Sequence, residues 1–227
     1  MTEQEIIHSR DLDGVIVGQT AISDVQGGKG LLSYRGIDIN DLVGVPFLHV
    51  VWMVLFGEWP NEQQKSKLKQ FMCKHMRLSH AEIDLLQQVD RDLHPMLMLQ
   101  GLVPLLHLPE EQTMDLDEDA EAGLFLAAKI SGLIAAHHRL GQSMNILSPV
   151  PGRLYHENFL SMFHGTSPTQ EQRRMLDAAQ ILQMEHSFNA GTFAGRVCAS
   201  TLAPIQSSIS ASIGTLFGRL HGGADQA

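Results

Sequence analysis

Two short segments of the 227-residue chain set histidines where chemistry could be done. In Leu220-His221-Gly222-Gly223-Ala224 a histidine leaves a helix of small residues and runs straight into a glycine pair. Such a pair frees the backbone to turn sharply and lets a ligand come close to the main chain. In Glu185-His186-Ser187-Phe188-Asn189-Ala190-Gly191-Thr192-Phe193 an apolar helix meets polar and small residues near its end. Imidazole titrates near neutrality and can donate one N–H, which suits it to proton transfer and to holding a developing negative charge. Each segment also has a plain reading, and taken singly that reading weighs more. Glycine is common at helix C-termini, and a core-facing histidine is usually just hydrogen-bonded in place.

Other arrangements lack the residues their chemistry needs. Gly28-Lys29-Gly30 has neither the hydroxyl residue nor the earlier glycine of a phosphate-binding loop and reads as a turn. Gly141-Gln142-Ser143-Met144-Asn145 lacks the closing glycine of a nucleophile elbow and follows a helix, where that motif follows a strand. His137 and His138 are adjacent, so on a helix they point about 100° apart and cannot grip one metal as an i, i+4 pair could. No metal site is expected.

The elements that must position the two histidines are mostly helical. Residues 14–36 differ from the rest: Val15, Val17 and Ile22, a glycine turn at Gly27–Gly30, then Leu31 to Tyr34 read as short extended segments and predict a small hairpin. From Pro46 the period becomes helical, with Phe47, Val50, Val51, Val54 and Leu55 on one face and Gly57 and Pro60 as a stop. Further helices are expected from Asn61 to about Met76, from Ser79 with its capping partner Glu82 through Val89, and from Met96 to Leu106 behind His94-Pro95. An unusually apolar, buried helix should follow the acidic cluster Asp115–Glu121 and run to Gly141. After a loop over 143–153 come a short helix near Tyr155–Phe163 and one begun by Thr169. On the latter, Met175, Ala178, Ala179, Leu182 and His186 share a face. The last helix, about Pro204 to Leu220, carries Ile205, Ile209, Ile213 and Leu216 on one side and Ala211, Gly214 and Gly218 on another.

Composition bounds the setting. Hydrophobic residues make up 44% and charged residues 18%, a globular balance. Sixteen basic residues against 25 acidic ones give a formal net charge of −9. No global attraction to nucleic acid or to an anionic membrane is therefore expected. No apolar run reaches the ~20 residues of a spanning helix, and Met1–Arg10 has no export pattern. With Cys73 and Cys198 as the only cysteines, neither a disulfide framework nor a zinc cluster is supported, and a cytoplasmic setting fits.

Taken together, the two histidine segments change the weights. Glu185-His186-x-x-Asn189-Ala190-x-Thr192-Phe193, then Arg196-Val197, then Leu220-His221-Gly222-Gly223-Ala224 closely resembles the citrate synthase family. Gly14-Val15 with Thr20 and Ile22, Tyr34-Arg35-Gly36-Ile37-Asp38-Ile39, Leu55–Pro60, His94-Pro95-Met96 and Asn158-Phe159-Leu160 fall where that family has its own versions. The family commonly has His-x-Asp-His-Glu where this chain has Gln183-Met184-Glu185-His186-Ser187. It has His-Gly-Gly-Ala-Asn-Glu where this chain has His221-Gly222-Gly223-Ala224-Asp225-Gln226. These departures touch detail around the site.

The resemblance implies an all-α fold, with an N-terminal segment over 1–45 that carries the hairpin and a multi-helical large domain over 46–227. That large domain is expected to be incomplete. Family members continue into a second, smaller domain with another catalytic histidine, the carboxylate base and the arginines that hold the dicarboxylate, and none of these has a counterpart here. Ala227 follows the glycine pair with no turn or cap signal and reads as an interrupted element. The implied reaction enolises acetyl-CoA, adds it to the keto carbon of oxaloacetate and hydrolyses the citryl thioester. His221 matches the residue that donates a hydrogen bond to the thioester oxygen, and His186 the one that hydrogen-bonds oxaloacetate. The acyl-CoA is a substrate, no cofactor is implied, and a homodimer is expected through Leu124–Ala136 and Ile205–Leu216. Two alternatives stay open: 2-methylcitrate synthase using propionyl-CoA, and a non-catalytic helical scaffold.

Overall fold

A computed structural model describes residues 18–223. Its N-terminal part is a three-stranded antiparallel sheet of β1 (Ser23–Gln26), β2 (Leu31–Tyr34) and β3 (Ile37–Asp38), in that order. The expected hairpin is the β1–β2 pair, joined by a 3-10 turn at Gly27–Lys29. There Gly30 takes φ +64°, a left-handed value open to a residue without a β-carbon. The third strand is an addition to the sequence reading. Arg35 and Gly36, at φ +50° and +80°, fold the chain back after Tyr34. Arg35 is held there by its guanidinium, which donates to the carbonyls of Val54 (3.0 and 2.9 Å) and Leu55 (3.2 Å). Val15 and Val17 lie outside the described residues.

Helical structure begins before Pro46, with α1 (Ile39–Leu42) capped by Asp38, whose carboxylate accepts from the Asn40 amide at 2.8 Å. Then come α2 (Phe47–Phe56), stopped by Gly57 at φ +78°, α3 (Glu62–Met76), whose expected cap Asn61 forms a full capping box with Gln64, and α4 (His80–Gln87), opened by the capping box expected at Ser79. The next helix, α5 (Pro95–Leu102), is shorter than predicted. Pro104 supplies no N–H, and the chain passes into a 3-10 turn over Val103–Leu105. It is followed by α6 (Glu118–Gly141), α7 (Tyr155–His164), α8 (Gln170–Leu182), α9 (Ala190–Ala199) and α10 (Ile205–Leu216).

By length and composition α6 could cross a bilayer, yet it is the central helix of the fold. Leu124, Phe125, Leu126, Ala128, Leu133, Ala135 and Ala136 are buried on it, and so are Glu121, Lys129, His137 and Arg139. Each of the first three of those polar groups finds a partner inside the chain, as buried groups must. Lys129 Nζ donates to Glu82 (2.7 Å) and to the Arg77 carbonyl (2.8 Å), the Glu121 carboxylate accepts from the Thr113 and Met114 amides, and His137 Nε2 lies 2.8 Å from the Leu93 carbonyl. His138 instead stacks on Phe163, so the two adjacent histidines part as predicted. Most of the apolar surface of α6 is thus covered within the subunit, with Ile130 and Ile134 left partly exposed.

The main core joins α2 through α6 and α10, with Leu68, Phe71, Leu99, Leu133 and Ile213 among its members. A second core lies under the sheet and ties Tyr34, Leu42, Val50 and Met53 to Ile181 of α8. Burying each such side chain contributes roughly 1.5–3 kcal/mol, so α8 is fastened to the sheet from both ends of the sequence. This corrects the predicted face of α8. Met175 is 66% exposed and Leu182 48%. The inward stripe is Arg173, Asp177 and Ile181, because Asp177 pairs with the buried His156 at 2.6 Å and with Arg173.

Candidate active site

The first histidine is positioned by the end of α8. The helix stops at Leu182, and His186 stands four residues beyond it, exposed and in a loop, where a core-facing helical position was expected. The stop has a cause in the sheet. Tyr34, wholly buried, donates its hydroxyl to the Ile181 carbonyl at 2.8 Å and accepts from the Glu185 amide at 3.3 Å. Burial holds this phenol above its ordinary pKa, which keeps the donor proton in place. One residue past His186, the Ser187 amide donates to Ser23 Oγ (3.0 Å) and to Glu185 Oε1 (2.6 Å). Asn189 then caps α9, its side-chain oxygen accepting from the Thr192 amide at 2.9 Å.

The second histidine hangs from the end of α10, which closes at Leu216, earlier than the sequence indicated. The following residues wind back over the helix end: the His221 and Gly223 amides both donate to the Gly218 carbonyl, at 2.9 and 3.2 Å. A β-carbon on Gly222 would lie 2.7 Å from Leu216 Cδ1, and one on Gly223 would lie 2.7 Å from the Phe217 carbonyl oxygen. The glycine pair is therefore required for space, and neither member takes a left-handed φ. Phe217 is braced in turn by the His94 ring, 4.5 Å away between centroids, while His94 Nδ1 caps α5 by accepting from the Met96 amide at 3.2 Å.

Helices α9 and α10 bring the two loops together. Gly191 and Gly195 of α9 sit against Ser208 and Ser212 of α10. A β-carbon on Gly195 would fall 2.3 Å from Ser212 Oγ. Of the small residues that the sequence placed on a contact face, Ala211, Gly214 and Gly218, Gly214 lies against Gln100 of α5, where a β-carbon would fall 2.3 Å from Nε2, while the approach of α9 is made at Ser208 and Ser212. The result is one open cleft of about 630 Å³ whose wall carries both His186 and His221, together with Glu185, Asn189, Thr192 and Ser212.

Within it, His221 Nε2 is buried and has no hydrogen-bond partner among the described residues. The N-terminus of α9, the positive end of its dipole, opens on the same space, which suits an anionic ligand. Among the described residues the one carboxylate lining the cleft is Glu185, and it is engaged by the Ser23 hydroxyl at 2.9 Å and by the Ser187 amide. Among the described residues, the wall offers hydrogen-bond donors for a bound oxygen, without a free base. Sequence reasoning gave no role to Ser23 and read Tyr34 only as part of a family landmark. Neither carries a chemical motif, and their contacts cross 164 and 151 positions.

Comparison with known proteins places the chain in a family. The family model described as citrate synthase, C-terminal domain, matches residues 11–227. Citrate synthase 2 of Bacillus subtilis is 32% identical over 222 residues, covering 96% of this chain and 59% of the relative. The 2-methylcitrate synthase of Shewanella oneidensis is also 32% identical, over 100% of this chain and 61% of its own length. Citrate synthase from Thermoplasma acidophilum, solved as a ternary complex with carboxymethyl coenzyme A and oxaloacetate, superposes with a TM-score of 0.85 at 27% identity. It covers 94% of this chain and 57% of that one. The chain thus spans about three fifths of the length of the curated relatives it matches. The match along almost the whole sequence and the agreement in fold make the chain a member of the citrate synthase family.

Proposed function

We propose that the chain carries part of the active site for a citrate-synthase-type condensation of acetyl-CoA with oxaloacetate, giving citrate and CoA at the entry of the tricarboxylic acid cycle. The observation that carries the reading is the shared cleft, in which an exposed His186 and a His221 Nε2 without a partner among the described residues line one wall. Enolising a thioester methyl group near neutral pH needs a donor waiting where the oxygen becomes negative. His221, whose buried Nε2 has no partner among the described residues, fills that role, and His186 with the positive end of α9 takes a carboxylate of oxaloacetate. The reaction calls for no metal and no cofactor, since the acyl-CoA is consumed as substrate. No free carboxylate lines the described cleft, so these 227 residues alone are expected to turn over at least 10²–10⁴-fold below a complete site.

The test has two parts. Titration of the chain with oxaloacetate should move the His186 ring resonance. Mass-resolved product assay with oxaloacetate plus acetyl-CoA should give almost no citrate from the 227-residue chain. Robust citrate formation by that chain would overturn the assignment of the missing base.

A second reading within the same chemistry, 2-methylcitrate synthesis from propionyl-CoA, is favoured by the equal identity to relatives of both names. Competing the two thioesters in one assay distinguishes them. The setting proposed is cytoplasmic, and the assembly a homodimer. The pairing surface proposed is the one expected from Leu124–Ala136 and Ile205–Leu216, where Ile130, Ile134 and Leu216 (42%) stay partly exposed, extended by the apolar groups exposed on and after α9, Val197 (52%) and Leu202 (94%). Sedimentation at micromolar concentration should give a dimer, and Leu202→Glu should raise its dissociation constant at least ten-fold.

A further inference from the structure

We propose that Ser23 and Tyr34, facing each other across the β1–β2 ladder, are positioning residues that hold His186 in the cleft. The proposal rests on reading His186 as a substrate-binding group. The two are register partners in the antiparallel pair, and directly opposed residues project their side chains to the same side of a sheet. From that one rung they reach both peptide neighbours of His186. Tyr34 takes the residue before it: its hydroxyl accepts from the Glu185 amide at 3.3 Å while donating to the Ile181 carbonyl at 2.8 Å. Ser23 takes the residue after it: its Oγ accepts from the Ser187 amide at 3.0 Å while donating to Glu185 Oε1 at 2.9 Å.

The backbone at Ser187 shows why such a clamp is needed. Ser187 has φ +57°, a left-handed conformation that a residue with a β-carbon keeps only when its surroundings over-determine it. The Ser187 amide, shared between Ser23 Oγ and Glu185 Oε1, supplies that constraint. The next residue adds to it, since the Phe188 ring lies under Arg196, 4.8 Å from the guanidinium carbon, and against Gly18. His186 is therefore the exposed tip of a loop anchored on both sides by a sheet whose sequence lies more than 140 positions earlier. The ring can be fixed without itself being buried.

The experiment is nuclear magnetic resonance on the 227-residue chain, with the His186 ring signal assigned by its loss in His186→Gln. In Ser23→Ala the ring signal should shift and the Ser187 amide should exchange about ten-fold faster, as expected for loss of one hydrogen bond on a strained turn. The melting temperature should stay close to that of the parent chain. Ser23→Thr keeps the hydroxyl and should restore both readouts, which a purely structural role for the strand would not require. Tyr34→Phe should act in the same direction on the Glu185 amide, and Ser23→Ala decides the matter if that buried change prevents folding. An unmoved His186 signal and unchanged Ser187 exchange in Ser23→Ala would overturn the proposal. If Ser23→Ala moves the ring but oxaloacetate does not move it in the parent chain, the positioning role stands and the oxaloacetate reading falls.

Discussion

His221 Nε2 lies 3.7 Å from the point where a β-carbon on Gly191 would stand, so the first turn of α9 and the histidine loop close directly on each other. That same β-carbon would meet the Ser212 carbonyl oxygen at 3.3 Å and Asn189 Oδ1 at 3.2 Å. Gly191→Ala should shift the His221 ring resonance and lower stability by about 1 kcal/mol, read as a fall of a few degrees in melting temperature. An unperturbed His221 signal would show that the two elements are not coupled.

The histidines themselves should matter to ligands and little to folding. His186 is exposed, and His221 contributes a buried nitrogen that has no partner among the described residues. In a polypeptide that includes the rest of a family member, His221→Ala should lower turnover by about 10²–10⁴-fold with a nearly unchanged melting temperature. His186→Ala should raise the oxaloacetate KM as well as lower kcat, since it acts in the bound ground state. A large loss of thermal stability in either variant would assign the residue to the core instead.

Two glycines on α6 should respond to alanine with opposite signs. At Gly123 a β-carbon meets nothing within 4 Å, whereas at Gly132 it would fall 2.2 Å from the Met76 carbonyl oxygen, which belongs to backbone. Gly123→Ala should stabilise by roughly 0.5–1 kcal/mol through helix propensity. Gly132→Ala should destabilise by about 2 kcal/mol or more, because α3 must move off α6. Thermal or urea denaturation of the pair checks both signs.

Acid should loosen the main core through His75. Its ring lies between Phe71 and Phe125, at 4.4 and 5.1 Å between centroids, and its Nε2 is buried without a partner among the described residues. Burial, aided by Lys74 and Lys129, pushes its pKa down to about 4. The folded state therefore refuses a proton that the unfolded chain takes up from about pH 6.5 downward. The contribution to stability is complete above that value and is lost as pH falls towards 4, by up to about 3 kcal/mol at 1.36 kcal/mol per unit. His75→Leu should flatten this part of the profile, and a wild-type stability that stays level between pH 7 and 4 would refute the assignment.

Much of this protein is written in local signals. The capping boxes at Asn61, Ser79 and Thr169, the stop at Gly57 and the apolar run of α6 need only neighbours within one or two turns, so they are legible before any fold is known. The two histidine segments are equally local, and their spacing is what marks the family. Tertiary structure alone decided which of these local pieces meet. Asp177 turns inward because His156, 21 positions away, is waiting for it, and Met175 is left in solvent as a result. The α8 helix ends at Leu182 because Tyr34, about 150 positions earlier, takes its last carbonyls, and His186 leaves the helix for the cleft. The glycines of α9 pass for ordinary small residues until α10 lies against them and the His221 loop closes over the end. Helix periodicity and capping are properties of a chain segment and its own backbone, whereas a cleft is made of contacts between segments, whose partners are chosen by the packing of the whole.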